Sequence, residues 1–279
     1  MVMLHGCRQD AQVFAEGTRM NEFAERNDFI VLYPEQSRTA NPLGCWNWFL
    51  PVVLKGAGET AAVASIVRKV AKAHPVDATR VYLAGMSAGG AMASVLANRY
   101  GTLFAACAVH SGLKYGAAAS PSAAFAAMRD GAPDSAVGLP KPAAFVPTLV
   151  IHGDRDKTVN PVNAEHIIEQ ARLAATNGAA SQPLVESPPR RIAGPRHAYV
   201  QRDYERDGRT VLRRIAVEDL DHAWSGGDDR HPFNDPKGPD ASRLIWDFVK
   251  DFRRLPDGSH EWSRTWSWSG IRRWLWRWA

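Results

Sequence analysis

The chain has 279 residues, 45% of them hydrophobic, with a net charge of +5 and a pI near 9.2. That length holds one large domain or two small ones, and no run of about eighteen apolar residues is present to span a membrane. The basic residues are scattered until the C-terminus and leave no nucleic-acid footprint, while Cys7, Cys45 and Cys107 lack the spacing of metal ligands.

Residues 2–4 read as a first strand running into the loop His5-Gly6-Cys7-Arg8-Gln9. No charged n-region, apolar h-region or cleavage site precedes it, so no signal peptide is expected within these residues. Sheet proteins rarely begin in a central strand, and further strands upstream of Val2 are expected. Residues 11–27 read as one helix with Phe14, Met20 and Phe23 on its apolar side. The apolar run 29–33 reads as a parallel strand covered on both faces, ended by Pro34. A long loop over 37–58 holds Gly44-Cys45-Trp46-Asn47-Trp48-Phe49, and 59–74 is helical, with Ala62, Ile66, Val67 and Val70 apolar. Residues 80–84 form a short buried strand and 90–100 a helix.

Residues 105–111 are a further buried strand. The segment 116–147, dense in Ala, Ser, Pro and Gly, reads as a cap or an excursion over a site. Residues 148–152 are the next strand, 163–175 a helix and 181–195 a polar connection. Asp207-Gly208 between 198–204 and 210–217 is a two-residue hairpin signal and predicts an antiparallel extension of the sheet. A closing helix spans 240–254. Strands alternating with helices call for an α/β fold with a mostly parallel central sheet flanked by helices, placed in residues 1–255.

Residues 256–279 form a tail. Trp262, Trp266, Trp268, Trp274, Trp276 and Trp278 make up six of the ten tryptophans and interleave with Arg264, Arg272, Arg273 and Arg277. Such a tail suits an interface between water and an apolar phase, or is a disordered extension; the second reading is preferred.

The chemistry is organised around Gly85-Met86-Ser87-Ala88-Gly89. A strand, a glycine-flanked turn and a helix are the context of a nucleophile elbow, which presents a serine Oγ at a helix N-terminus. A serine hydroxyl needs a base, and the base needs an acid to fix its tautomer. On an α/β-hydrolase fold these follow in the order Ser, acid, His, each after a strand. Asp156, in Gly153-Asp154-Arg155-Asp156-Lys157-Thr158-Val159, is the expected acid, and Asp154 reads as a turn residue bonding local backbone. His222 is the expected base. Asp221 beside it reads as solvated, and His197, His231 and His260 as surface histidines. His5, His110 and His152 end strands, where structural hydrogen bonding is expected of them. The oxyanion of an acyl-transfer intermediate needs two N–H donors, assigned to the backbones of Ala88 and Cys7. Trp46, Trp48 and Trp224 lie in loops beside these residues, either as an apolar substrate wall or as core packing.

The set His5-Gly6-Cys7-x-Gln9, Tyr33-Pro34-Glu35-Gln36, Gly44-Cys45-Trp46-Asn47-Trp48-Phe49, Gly85-Met86-Ser87-Ala88-Gly89-Gly90 and His222-Ala223-Trp224-Ser225-Gly226-Gly227 resembles the polyhydroxybutyrate depolymerase family of esterases, which includes feruloyl and acetylxylan esterases. The resemblance spans about residues 2–254. It implies an α/β-hydrolase fold and a secreted serine hydrolase of short-chain polyhydroxyalkanoates or of other short acyl esters, working through Ser87, His222 and Asp156 without cofactor or metal. It also implies a disulfide between Cys7 and Cys45, the alternative being two reduced thiols in a cytoplasmic chain if the start at Met1 is genuine. Cys107 reads as a small buried hydrophobe. Departures from the pattern are Leu220-Asp221 before the histidine and the lack of a polymer-binding domain after residue 254. A reading of another class is a truncated, non-catalytic chain that binds through its tail.

Overall fold

A computed structural model describes residues 1–133, 142, 144–176 and 183–255, together with the backbone of 260–262. The chain order is β1 (Val2–Leu4), α1 (Ala11–Thr18), α2 (Met20–Asn27), α3 (Pro51–Leu54), α4 (Glu59–Ala73), β2 (Tyr82–Met86), α5 (Ala88–Arg99), β3 (Ala106–His110), α6 (Pro121–Asp130), β4 (Thr148–Gly153) and α7 (Val162–Thr176). Then come β5 (Val185–Glu186), β6 (Arg190–Ile192), β7 (Tyr199–Arg206), β8 (Arg209–Val217), β9 (Trp224–Ser225), β10 (Asn234–Asp235), α8 (Ala241–Val249), β11 (Phe252–Arg254) and β12 (His260–Trp262).

The main sheet runs β1-β2-β3-β4-β8-β7-β5, with β6 also on β7. Strands β1, β2, β3, β4 and β8 are parallel neighbours. Strands β2, β3 and β4 are buried along their whole length, as strands covered by helices on both faces are, whereas β8 alternates buried apolar residues with half-buried arginines. Asp207 (φ 51°) and Gly208 (φ 72°) supply the two left-handed residues of the expected hairpin. Only one of its arms is antiparallel to the body of the sheet, however, since β8 joins β4 in parallel and β7 alone reverses direction.

Two other expectations are corrected. The helix over 11–27 breaks at Arg19, which takes a left-handed conformation (φ 56°). The carbonyls of Gly17 and Thr18, which a continuous helix would use itself, instead accept from Asp228 N–H at 2.9 Å and Ser242 Oγ at 2.6 Å. A side chain at Gly17 would also strike Asn234. The segment 29–33 joins the sheet only through a parallel bridge from Leu32 to Val2, with Ile30 exposed and Phe29 stacked on Trp246 at 4.3 Å. No outer strand pairs with it among the described residues, so it is an edge rather than a covered strand.

The connection 183–195 contains β5 and β6, and the closing helix stops at Val249 before β11. The expected excursion over 116–147 contains α6, and its residues 134–141 and 143 lie outside the described part, as do residues 177–182. In the C-terminal segment β12 pairs antiparallel with β11. The side chains of its tryptophans lie outside the described residues.

Candidate active site

Strand β2 ends at Met86, α5 begins at Ala88, and Ser87 between them is held at φ 56°, ψ −122°. Only a tightly determined turn keeps a non-glycine residue there. The flanking glycines are required by space: a Cβ on Gly85 would collide with the Gly89 carbonyl, and one on Gly89 with the carbonyls of Leu4 and His5. The strand, the helix and the loop after β1 are thereby pressed together around the serine. Ser87 N–H donates to His110 O at 2.9 Å, which ties the elbow to β3.

The loops after β4 and β8 lock to each other. Gly153 lies against the Leu220 carbonyl with no room for a side chain. Arg155 N–H donates to Leu220 O at 3.1 Å and Asp219 N–H to Asp154 Oδ1 at 2.8 Å, while Arg155 and Asp219 form an ion pair. Asp154 thus bonds a neighbouring loop rather than its own turn, a correction to the sequence reading. This fastening places His222 between Asp156 and Ser87. Its Nδ1–H donates to Asp156 Oδ2 at 2.7 Å and its Nε2 lies 2.9 Å from Ser87 Oγ.

The Asp156 side chain is fully buried. Burial alone would raise its pKa, but hydrogen bonds from His152 and His222 outweigh it and hold the carboxyl well below the ordinary carboxylate range. Oδ1 also accepts from Thr158 N–H at 2.9 Å and Val159 N–H at 2.8 Å. A charged carboxylate on Nδ1 fixes the tautomer in which Nε2 is an acceptor, and the Ser87 hydroxyl can donate to it.

The loop His5–Gln9 crosses beside the serine, where a Cβ on Gly6 would sit 3.4 Å from Ser87 Cβ. The N–H groups of Cys7 and Ala88 make no hydrogen bond among the described residues; Ala88 N–H is one of the unpaired first-turn donors of a helix. Cys7 and Cys45 are joined by a disulfide, with Cα atoms 4.3 Å apart. Gln9 was legible only as a motif position. It is buried, and its Oε1 accepts from Gly6 N–H at 2.8 Å, which fixes the His5–Gly6 peptide one residue before Cys7. Beneath the Cys45 loop, Glu59 accepts from the Asn47 backbone at 2.8 Å and side chain at 2.6 Å.

Two of the three strand-end histidines, His5 and His110, make structural hydrogen bonds, as expected of them. His5 Nδ1–H donates to Gly6 O at 2.8 Å, and its Nε2 accepts from Gln36 N–H at 3.1 Å. His110 Nε2 accepts from Ser225 N–H at 3.2 Å, and its Nδ1 faces Ser111 Oγ at 3.1 Å. Burial lowers the His110 pKa to about 3. His197 and His231 sit beside Asp235 and Glu16, and Asp221 is exposed.

The tryptophans do not form an exposed wall. Trp46, Trp48 and Trp224 are 3%, 4% and 1% exposed. Trp46 Nε1–H donates to His5 O at 3.1 Å, Trp48 meets Phe49 edge-on, and Trp224 stacks on His110 at 5.0 Å. They brace the site from behind, because loops this close to a sheet must bury their large apolar faces. Cys107 is buried and its thiol is pushed up to about 12 by that burial.

Comparisons with known proteins bear on the family and the fold. Poly(3-hydroxyalkanoate) depolymerase C of Paucimonas lemoignei is 33% identical over 184 residues, 61% of this chain and 43% of that protein. Feruloyl esterase B of Thermothelomyces thermophilus is 36% identical over 126 residues, 44% of this chain and 42% of that protein. The chain therefore spans under half the length of these relatives. Among solved structures, acetyl xylan esterase from Aspergillus awamori has a TM-score of 0.64 at 21% identity, covering 79% of this chain and 82% of that one. Esterase PE8 has a TM-score of 0.52 at 17% identity over 89% and 91%. Both likenesses concern the fold, which is that of the α/β-hydrolases. Residues 1–182 match the family described as Esterase PHB depolymerase, and the chain belongs to that family.

Proposed function

We propose that this chain is a serine carboxylic ester hydrolase whose nucleophile is Ser87, whose base is His222 and whose orienting carboxylate is Asp156. The observation that carries the reading is the unbroken hydrogen-bonded line from Asp156 Oδ2 through the His222 ring to Ser87 Oγ, at 2.7 and 2.9 Å. In this scheme His222 Nε2 takes the Ser87 proton as Oγ attacks the ester carbonyl. Asp156 stabilises the imidazolium, and the Cys7 and Ala88 N–H groups receive the oxyanion. Collapse releases the alcohol with the proton from His222 and leaves an acyl-serine. Water, deprotonated by His222, then releases the acid and restores Ser87.

For the substrate we favour esters of short-chain 3-hydroxyalkanoates, as polymer or oligomer. The similarity to the Paucimonas depolymerase extends over more of the chain than that to feruloyl esterase B. The higher identity to the latter within its shorter span supports a second reading, an esterase of feruloyl or acetylxylan esters. The Cys7–Cys45 disulfide suits an oxidising, extracellular setting.

The test is hydrolysis of p-nitrophenyl butyrate by the wild type and Ser87→Ala. Loss of turnover by about 10³-fold or more is expected in the variant; equal rates in two folded proteins would overturn the scheme in favour of a binding protein. Hydroxybutyrate trimer, methyl ferulate and acetylated xylo-oligosaccharide, compared by kcat/KM, then rank the substrate readings. Preference for either of the last two would overturn the hydroxyalkanoate assignment.

A further inference from the structure

Asp156 has a second imidazole against it that the scheme above does not use. His152, the penultimate residue of β4, is 2% exposed, and its Nε2 lies 2.9 Å from Val159 O and 3.2 Å from Asp156 Oδ2. Both oxygens are acceptors, so Nε2 carries the hydrogen, bonded to Val159 O with Asp156 Oδ2 beside it. Nδ1 of the same ring is buried without a hydrogen-bond partner among the described residues. Leaving a buried nitrogen unpaired is costly, and the cost is borne while the opposite edge of the ring serves the carboxylate. Oδ2 therefore has two imidazole nitrogens on it, the hydrogen-bonded Nδ1 of His222 at 2.7 Å and Nε2 of His152 at 3.2 Å, while Oδ1 takes two backbone N–H groups. The carboxylate has no freedom to rotate.

We propose that His152 is a positioning residue for ester hydrolysis: by sharing Oδ2 with His222 it sets the plane of the Asp156 carboxylate and limits how tightly that oxygen draws the His222 Nδ1 proton. The inference rests on the assignment of Ser87, His222 and Asp156 above. A second donor on one carboxylate oxygen disperses its charge, so the oxygen pulls less on the first donor. Removing His152 leaves His222 as the sole side-chain donor on Oδ2 and makes its ring easier to protonate. The other charged or titratable groups near His222 are Asp221 beside it in sequence, which is exposed, and His110 on β3, whose Nε2 accepts a hydrogen bond and whose ring is therefore neutral.

The experiment compares the wild type with His152→Leu and His152→Gln across pH, using p-nitrophenyl butyrate. In His152→Leu, kcat should fall about tenfold to a hundredfold, as a small misplacement of a reacting group costs, with KM nearly unchanged. The acid limb of kcat/KM should move to higher pH by roughly half a unit. In His152→Gln, whose amide N–H can reach the same oxygen, the limb should return toward the wild-type position. A role confined to packing would lower the melting temperature and leave the limb in place, and that result overturns the proposal. Should the Leu variant not fold, proton NMR of the wild type decides. The His152 Nε2–H resonance must shift as His222 titrates, and an unresponsive resonance overturns the proposal. An inert wild-type chain would instead refute the hydrolase assignment, and the NMR coupling would still read whether the two rings share one carboxylate.

Discussion

On one side of Ser87, Asp156 stands just beyond a buried parallel strand, and its carboxylate accepts three hydrogen bonds and has a second imidazole nitrogen 3.2 Å away. On the other, Cys7 sits in an irregular loop fixed by a disulfide to Cys45 and by the Gln9 side chain. The acid side is held by the sheet itself, so its geometry survives as long as the fold does. The proposed oxyanion side hangs on a cross-link between two loops, and its geometry and the stability of the fold are tied to the same bond. Damage to the first should therefore appear as lost chemistry in a stable protein, and damage to the second as lost stability and lost chemistry together.

The sharpest way to separate the two sides is Asp156→Asn. It keeps the volume but removes the charge that selects the His222 tautomer. We expect kcat to fall by about 10⁴-fold in a protein that still folds, measured by ester hydrolysis and circular dichroism. Next in size is Cys45→Ser. The disulfide closes a separation of 38 residues, and losing it should cost about 4 kcal/mol in urea unfolding on the chain-entropy argument, with a parallel drop in kcat/KM. If activity survived intact in the folded variant, the oxyanion loop would be as over-determined as the acid loop and the contrast would fail.

The smallest effect concerns His110, which is neutral in the fold with a pKa lowered from 6.5 to about 3. The unfolded chain binds a proton there that the folded chain does not. Stability is therefore greatest above about pH 6.5 and is lost as pH falls from there toward 3. Between pH 7 and 5 this one ring should account for about 2 kcal/mol, measured as the difference in urea unfolding between the wild type and His110→Gln. An unchanged pH dependence in the variant would show that the ring does not carry this sensitivity.

Much of the site could be read from the chain because each of its parts follows a short apolar run and adjoins a glycine or a turn residue. Ser87 is framed by Gly85 and Gly89, Asp156 follows Gly153, and His222 follows the hairpin marked by Asp207-Gly208. Local periodicity reports such features because they are local. The break at Arg19 was invisible because its cause lies in Asp228, Asn234 and Ser242, more than two hundred residues away. The depth of Trp46, Trp48 and Trp224 was likewise undecidable, since an indole in a loop reads the same whether it faces solvent or the sheet. The link from Asp154 to Asp219 and the second imidazole on Asp156 emerge only when two loops are laid side by side.

The bond from Ser242 Oγ to Thr18 O joins residues 224 positions apart, and Ser87 and His222 are separated by 135. Closure over such distances is slow compared with local folding, and a chain made from its N-terminus acquires these partners late. While it is being synthesised, the nascent polypeptide holds the elbow and the loop beside it well before the histidine exists. A serine with no base beside it is a weak nucleophile. On the scheme proposed above, reactivity would therefore switch on only once His222 has been made and docked, and an unfinished chain, however well its first half has folded, would stay chemically silent.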